Sequence, residues 1–179
     1  MRERPDDLRV TKTIRSIHTA FEQMMCEMDY RQITVKELCE RALVNKKTFY
    51  RYYETMDFLL AEFQETMMAD YLARVEDLRV PDDLDRITHE FFAFAGERGE
   101  VFERITCAGP HESLQRQMTE DVLERHDGAA VDDPERSLLM AFVAESTLAV
   151  YRQWVADGKR VPLEKAADLA ARYVCHGAL

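Results

Sequence analysis

Residues 33–53, ITVKELCERALVNKKTFYRYY, read as two short helices joined by a tight turn. Thr34 and Glu37 have the spacing of a capping box, in which hydroxyl and carboxylate each satisfy a free amide at a helix start. Val35, Leu38, Cys39 and Ala42 then fall at i, i+3, i+4 and i+7, one apolar stripe on a helix of about two turns. Asn45 is a second N-cap, opening a helix over residues 46–52. Between the two, Ala42-Leu43-Val44 is too short for anything but a helix–helix turn, and Val44 is placed to pack back on Phe49 as a hydrophobic staple. The pattern is a helix-turn-helix, whose first helix braces and whose second offers its N-terminal residues to the major groove of DNA.

The run Thr34-Val35-x-x-Leu38, Ala42-x-Val44-Asn45 and Thr48-Phe49-Tyr50-Arg51-Tyr52-Tyr53 resembles the signature of tetracycline-repressor (TetR) type regulators, over roughly residues 10–60. The resemblance implies an all-α protein of about nine helices in total. A three-helix DNA-binding domain, residues 1–55, precedes a larger helical effector-binding and dimerisation domain, residues 56–179. It also implies the working residues. Lys36 approaches a base edge or a phosphate, while Thr34, Thr48 and the hydroxyls of Tyr50 and Tyr52 donate to phosphate. Lys46 and Lys47 occupy the turn that enters the groove deepest and are the candidates for reading guanine O6 and N7. Arg51 suits either task, and Phe49 and Tyr53 belong to the module's small core.

Two positions depart from the family pattern. Leu43 stands where glycine is usual, and Met56 where a lysine commonly grips phosphate, with Glu54 adding a repelling charge beside it. One lost phosphate contact lowers the salt slope by about one unit. A single short helix reads few base pairs, so the resemblance implies a homodimer on an inverted-repeat operator in double-stranded DNA. It further implies a small-molecule effector, of unknown identity, acting through the second domain. The alternative is a TetR-like adaptor or coactivator that works through protein–protein contacts with little DNA affinity of its own; Leu43, Glu54 and Met56 are the residues that favour it.

Composition agrees with long regular elements. Six glycines and five prolines in 179 residues, with 46% hydrophobic residues, argue against disorder. No apolar run approaches membrane-spanning length and the charged start is no signal peptide, so a cytoplasmic protein with no membrane partner is expected. Cys26, Cys39, Cys107 and Cys175 are scattered without metal-ligand spacing and read as small core residues. The net charge of −10 is unevenly spread: residues 1–56 hold 11 Lys+Arg against 9 Asp+Glu, the remainder 13 against 25. The acidic part is expected to suppress non-specific binding without blocking a specific site. An enzyme is not expected. His89-Glu90 and His111-Glu112 are adjacent pairs that point to different helix faces, and no HExxH, GxSxG, P-loop or dinucleotide fingerprint appears, so no cofactor or metal is expected.

Along the chain, residues 1–9 read as a charged arm whose Arg2, Arg4 and Arg9 either touch phosphate or stay solvated. A helix follows over 10–28, with His18 on or beside its apolar side as a packed histidine. After the helix-turn-helix a long linking helix is predicted over about 56–79, its apolar stripe including Phe58, Leu59, Phe63 and Tyr71. Pro81-Asp82-Asp83 breaks the chain and caps a helix over about 84–97, Gly96 and Gly99 permit a bend, and 101–107 adds one or two turns. A surface helix is predicted over 111–126 and a loop over 127–133. The helix over 137–156, preceded by Pro134 at a helix start, is apolar nearly all round and needs cover on both sides, one of them from a second subunit. Pro162 opens the last helix, where Ala166, Ala167, Ala170 and Ala171 allow close approach of a neighbour; two helices from each of two chains would make a four-helix interface. Phe91, Phe92, Phe94, Phe102, Met118, Phe142 and Tyr151 either line an effector pocket or form plain core.

Overall fold

The computed structural model describes residues 5–108 and 134–177, with side chains from residue 8. The helix expected over 111–126, the loop over 127–133, Met118, and Arg2 and Arg4 of the arm lie outside the described residues. Eight α-helices and no strand occur among the described residues: α1 (Pro5–Glu27), α2 (Val35–Arg41), α3 (Lys46–Tyr52), α4 (Met56–Arg74), α5 (Leu84–Arg98), α6 (Glu100–Glu103), α7 (Pro134–Ala156) and α8 (Leu163–His176). The fold is all-α. None of these helices is long and apolar enough to cross a membrane. The chain divides into two compact units, Met1–Thr66 and Met67–Leu179, the division falling within α4.

In the first unit α1 begins at Pro5, earlier than the arm reading allows. The reason lies in residue type: proline suits the first helical position. Arg9 is therefore a helical residue. The core is built from Ile17, Phe21 and Met24 of α1, Leu38 of α2, Phe49 of α3 and Leu59 of α4, all essentially without solvent contact. Phe21 meets Phe63 edge-on at 5.8 Å, and Phe49 lies 5.5 Å from the Tyr53 ring. Phe58, expected on the apolar stripe of α4, is exposed.

In the second unit α4 stops at Arg74, short of the predicted Arg79. Glu76 and Asp77 are poor company for a helix C-terminus. Val75, Leu78 and Val80 turn inward instead, closed by hydrogen bonds from the Val75 amide to the Leu72 carbonyl (3.2 Å) and from the Leu78 amide to the Val75 carbonyl (3.0 Å). Asp83 sits at the N-cap of α5 but does not cap it; its carboxylate accepts from the Arg79 amide at 2.9 Å. The predicted bend occurs at Gly99 alone, whose φ of 58° separates α5 from α6; Arg104–Ala108 then continues as a π-helical turn. Gly96 has another role: a Cβ there would lie 2.5 Å from Leu163 Cδ2, so its absence lets α8 approach α5. The core is a cluster of Tyr71, Phe91, Phe92, Phe94, Phe102 and Tyr151 rings with neighbouring centroids 5.4–5.9 Å apart. Edge-to-face pairs of this kind add about 0.5–1.5 kcal/mol each beyond burial.

The alanine stripe of α8 is consumed inside the chain. Ala166, Ala167, Ala170 and Ala171 are all buried, on a helix that packs against α5 and α7. Small side chains serve here for close packing within one subunit. On α7, by contrast, Leu138 and Phe142 are 73% and 53% exposed, one helical turn apart. Of the cysteines only Cys39 is buried; Cys26, Cys107 and Cys175 are half-buried, and none of the four forms a disulfide among the described residues.

Candidate nucleic-acid interface

The two helix starts are built almost as their residues dictate. The Thr34 hydroxyl accepts from the Glu37 amide at 3.2 Å. The Glu37 carboxylate, however, takes the hydroxyl proton of Thr34 at 2.7 Å rather than its amide, because the hydroxyl is the nearer strong donor. Asn45 Oδ1 accepts from the Thr48 amide at 2.7 Å and from the Thr48 hydroxyl at 3.0 Å. Each cap satisfies one of the free amides that every helix N-terminus leaves, worth about 1 kcal/mol. Both threonine hydroxyl protons are thus engaged inside the protein, and each must rotate to donate to a phosphate.

The turn between α2 and α3 is closed by the Val44 amide on the Cys39 carbonyl at 3.0 Å. Leu43 in that turn adopts φ 56° and is 92% exposed. This explains the family's glycine there: the turn needs left-handed backbone, which costs an ordinary side chain about 1–2 kcal/mol. Lys46 and Lys47 follow the Asn45 cap, exposed and with no ion pair among the described residues. Two cations at a helix N-terminus oppose the dipole, so nothing in the helix itself calls for them. Tyr50 and Arg51 are exposed and Tyr52 is half-buried, with the Arg51 guanidinium 5.9 Å from the Tyr52 ring centre. Lys36 is exposed and reaches only a loose 4.0 Å pair with Glu40.

Phe49 and Tyr53 are buried on the opposite side. α3 therefore splits cleanly: the even-handed run Lys46, Lys47, Tyr50, Arg51 faces solvent, while Phe49 anchors. Thr34 and Lys36 stand at the start of α2 as predicted from sequence.

Sequence reasoning missed two neighbours of this surface. His18 is not simply packed: its Nε2 lies 3.0 Å from the Tyr53 hydroxyl and 3.2 Å from Glu62 Oε1. Tyr30, leading into α2, donates to Asp57 in the first turn of α4, and burial, then that carboxylate, pushes its hydroxyl well above the usual phenol range. Only the partly polar character of α4's first turns hinted at either contact.

The second unit holds an apolar cavity of about 50 Å3. It is lined by Tyr71, Leu72, Val75, Val80, Ile87, Thr88, Phe91, Met140, Val143, Ala144 and Thr147, with no charged side chain among these described residues. The Thr88 hydroxyl donates to the Leu84 carbonyl at 2.9 Å, so it does not call for a partner in the cavity. Of the aromatic residues singled out from sequence, Phe91 lines this cavity. Phe92, Phe94, Phe102 and Tyr151 are packed core, and Phe142 faces outward. Among the described residues no group of three or more His, Cys, Asp or Glu is placed to hold a metal.

No protein-family model matches the sequence, and no curated protein matches it. Solved structures do. A Clostridium perfringens protein assigned as a fatty acid metabolism regulator superposes with a TM-score of 0.65 at 18% identity, covering 92% of this chain and 98% of its own. The dihydroxyacetone kinase operon activator DhaS gives 0.61 at 20% identity, covering 90% and 93%. A Vibrio parahaemolyticus protein assigned as a TetR family transcriptional regulator gives 0.55 at 19% identity, covering 89% and 96%. The chain has the TetR-like fold.

Proposed function

We propose that the chain is a dimeric, DNA-binding transcriptional regulator, a repressor that binds an inverted-repeat operator and responds to a small-molecule effector. The observation that carries this reading is the solvent face of α3. Lys46 and Lys47 stand exposed and unpaired on an Asn45-capped turn, against the helix dipole, in a protein of net charge −10. Such lysines match the acceptors of guanine or the phosphate backbone. Residues 1–55 act as the reading domain and 56–179 as the effector and dimerisation domain.

The solved structures named above support the reading through their fold and their assignments as regulators. The exposed Leu138 and Phe142 of α7 supply an apolar face suited to a second copy. The cavity supports an uncharged, apolar effector, since a charged group there would lose its hydration unpaired. The adaptor reading draws on one observation, the exposed leucine at position 43, where a protein surface gains more than a nucleic acid does.

The deciding experiment is a gel shift with DNA flanking the protein's own gene, at two salt concentrations. A shift that weakens with salt is expected, lost in Lys46→Glu/Lys47→Glu with helicity and dimer size intact. No shift at low salt from a folded dimer favours the adaptor, and a shift indifferent to the double charge reversal refutes α3 as the reading face.

A further inference from the structure

Tyr53 ends α3, and three polar atoms meet at its hydroxyl. The hydroxyl lies 3.0 Å from His18 Nε2 of α1 and 3.1 Å from Glu62 Oε1 of α4, and those two atoms are 3.2 Å apart. Nε2 and Oε1 would both be acceptors if the imidazole nitrogen were bare, and the single phenol proton satisfies only one of them. With the proton on Nε2, Glu62 Oε1 has a donor on each side. The carboxylate oxygen then accepts from His18 and from Tyr53 together.

The tyrosine keeps its proton. Burial first, then the charge and hydrogen bond of Glu62, push its hydroxyl well above the usual phenol range. The ring itself is buried against Phe49, and the Tyr53 amide closes α3 on the Phe49 carbonyl at 2.9 Å. Nothing about core packing calls for the hydroxyl, since a phenylalanine would fill the same space.

We propose that the Tyr53 hydroxyl is a positioning group: through His18 and Glu62 it fixes the seat of α3 on α1 and α4. This deepens the DNA-reading assignment of α3 and rests on it.

The test compares amide exchange and DNA binding in the full-length wild type, Tyr53→Phe, Glu62→Gln and the double variant, with the gene-flanking fragment as probe. In Tyr53→Phe, exchange of the α3 amides is expected to rise on the order of tenfold, and DNA affinity to fall by a similar factor. Glu62→Gln keeps an acceptor for the hydroxyl and should fall between wild type and Tyr53→Phe; the double variant should be no worse than Tyr53→Phe. Wild-type exchange and affinity in Tyr53→Phe overturn the proposal. So does faster exchange spread evenly through α1 and α3, which marks a merely structural hydroxyl. If Tyr53→Phe does not fold, Glu62→Gln carries the test on a half-exposed carboxylate. A wild type that binds no DNA sinks the reading role of α3, while the exchange pattern still decides the clamp.

Discussion

Leucine at position 43 carries a backbone cost. It holds left-handed backbone that glycine adopts freely and exposes almost its whole side chain. Leu43→Gly is therefore expected to raise stability by about 0.5–1 kcal/mol, the relieved strain less glycine's extra unfolded-state entropy. Thermal unfolding with and without DNA checks it. A gain in stability with unchanged DNA affinity leaves the leucine to a protein contact; a loss of DNA affinity gives it to the groove. The sequence made this position visible only as a departure from a pattern, and said nothing of its backbone. The same holds for Thr34 and Thr48. Their cap roles were legible because capping is local, but the engagement of both hydroxyl protons depends on where Glu37 and Asn45 turn their oxygens.

Among the elements, the short helices of the reading module were the most legible, since their starts, stops and faces are written within a few residues of each other. α4 was not. Its predicted last turn has the right apolar spacing, yet Val75, Leu78 and Val80 are drawn inward by tertiary packing that periodicity cannot register. The lining of the cavity was likewise hidden, because Met140, Val143 and Thr147 carry the same helical spacing as any core residue. The α5–α8 pair holds a titratable tie that the sequence offered only as an adjacent His-Glu pair. His89 Nδ1 lies 2.8 Å from the Asp85 carbonyl and Nε2 3.2 Å from Asp168 Oδ1. Burial alone would lower its pKa, but the Asp85 carbonyl, then the Asp168 and Asp85 carboxylates, outweigh it and raise it above the ordinary value. A raised histidine contributes stability in full below its unfolded value of about 6.5 and loses it as pH climbs through the folded one. The melting temperature of the wild type should accordingly drop more than that of His89→Gln between pH 6 and pH 8.5. Parallel curves for the two proteins refute the tie.

For the whole molecule, the covering of α7 is the point on which sequence and structure diverge most usefully. Four alanines suggested a face for a neighbouring subunit, and the chain spends them on its own α5 and α7. On α7 the large apolar side chains left exposed are Leu138 and Phe142. Leu138→Glu/Phe142→Glu is expected to convert a dimer into monomers at micromolar concentration, read by sedimentation, without loss of helicity. A wild type that sediments as a monomer removes the dimer from the account. DNA affinity should fall with the dimer, because one short helix holds too few base pairs alone.

The size of the cavity beside α4 limits what an effector could gain by occupying it. Filling about 50 Å3 of empty apolar space returns on the order of 1 kcal/mol, at roughly 24 cal/mol per Å3. That changes a two-state ratio by about fivefold, whereas a decisive reversal needs about ten-thousandfold. A molecule that did no more than fill the hole would therefore be a weak effector.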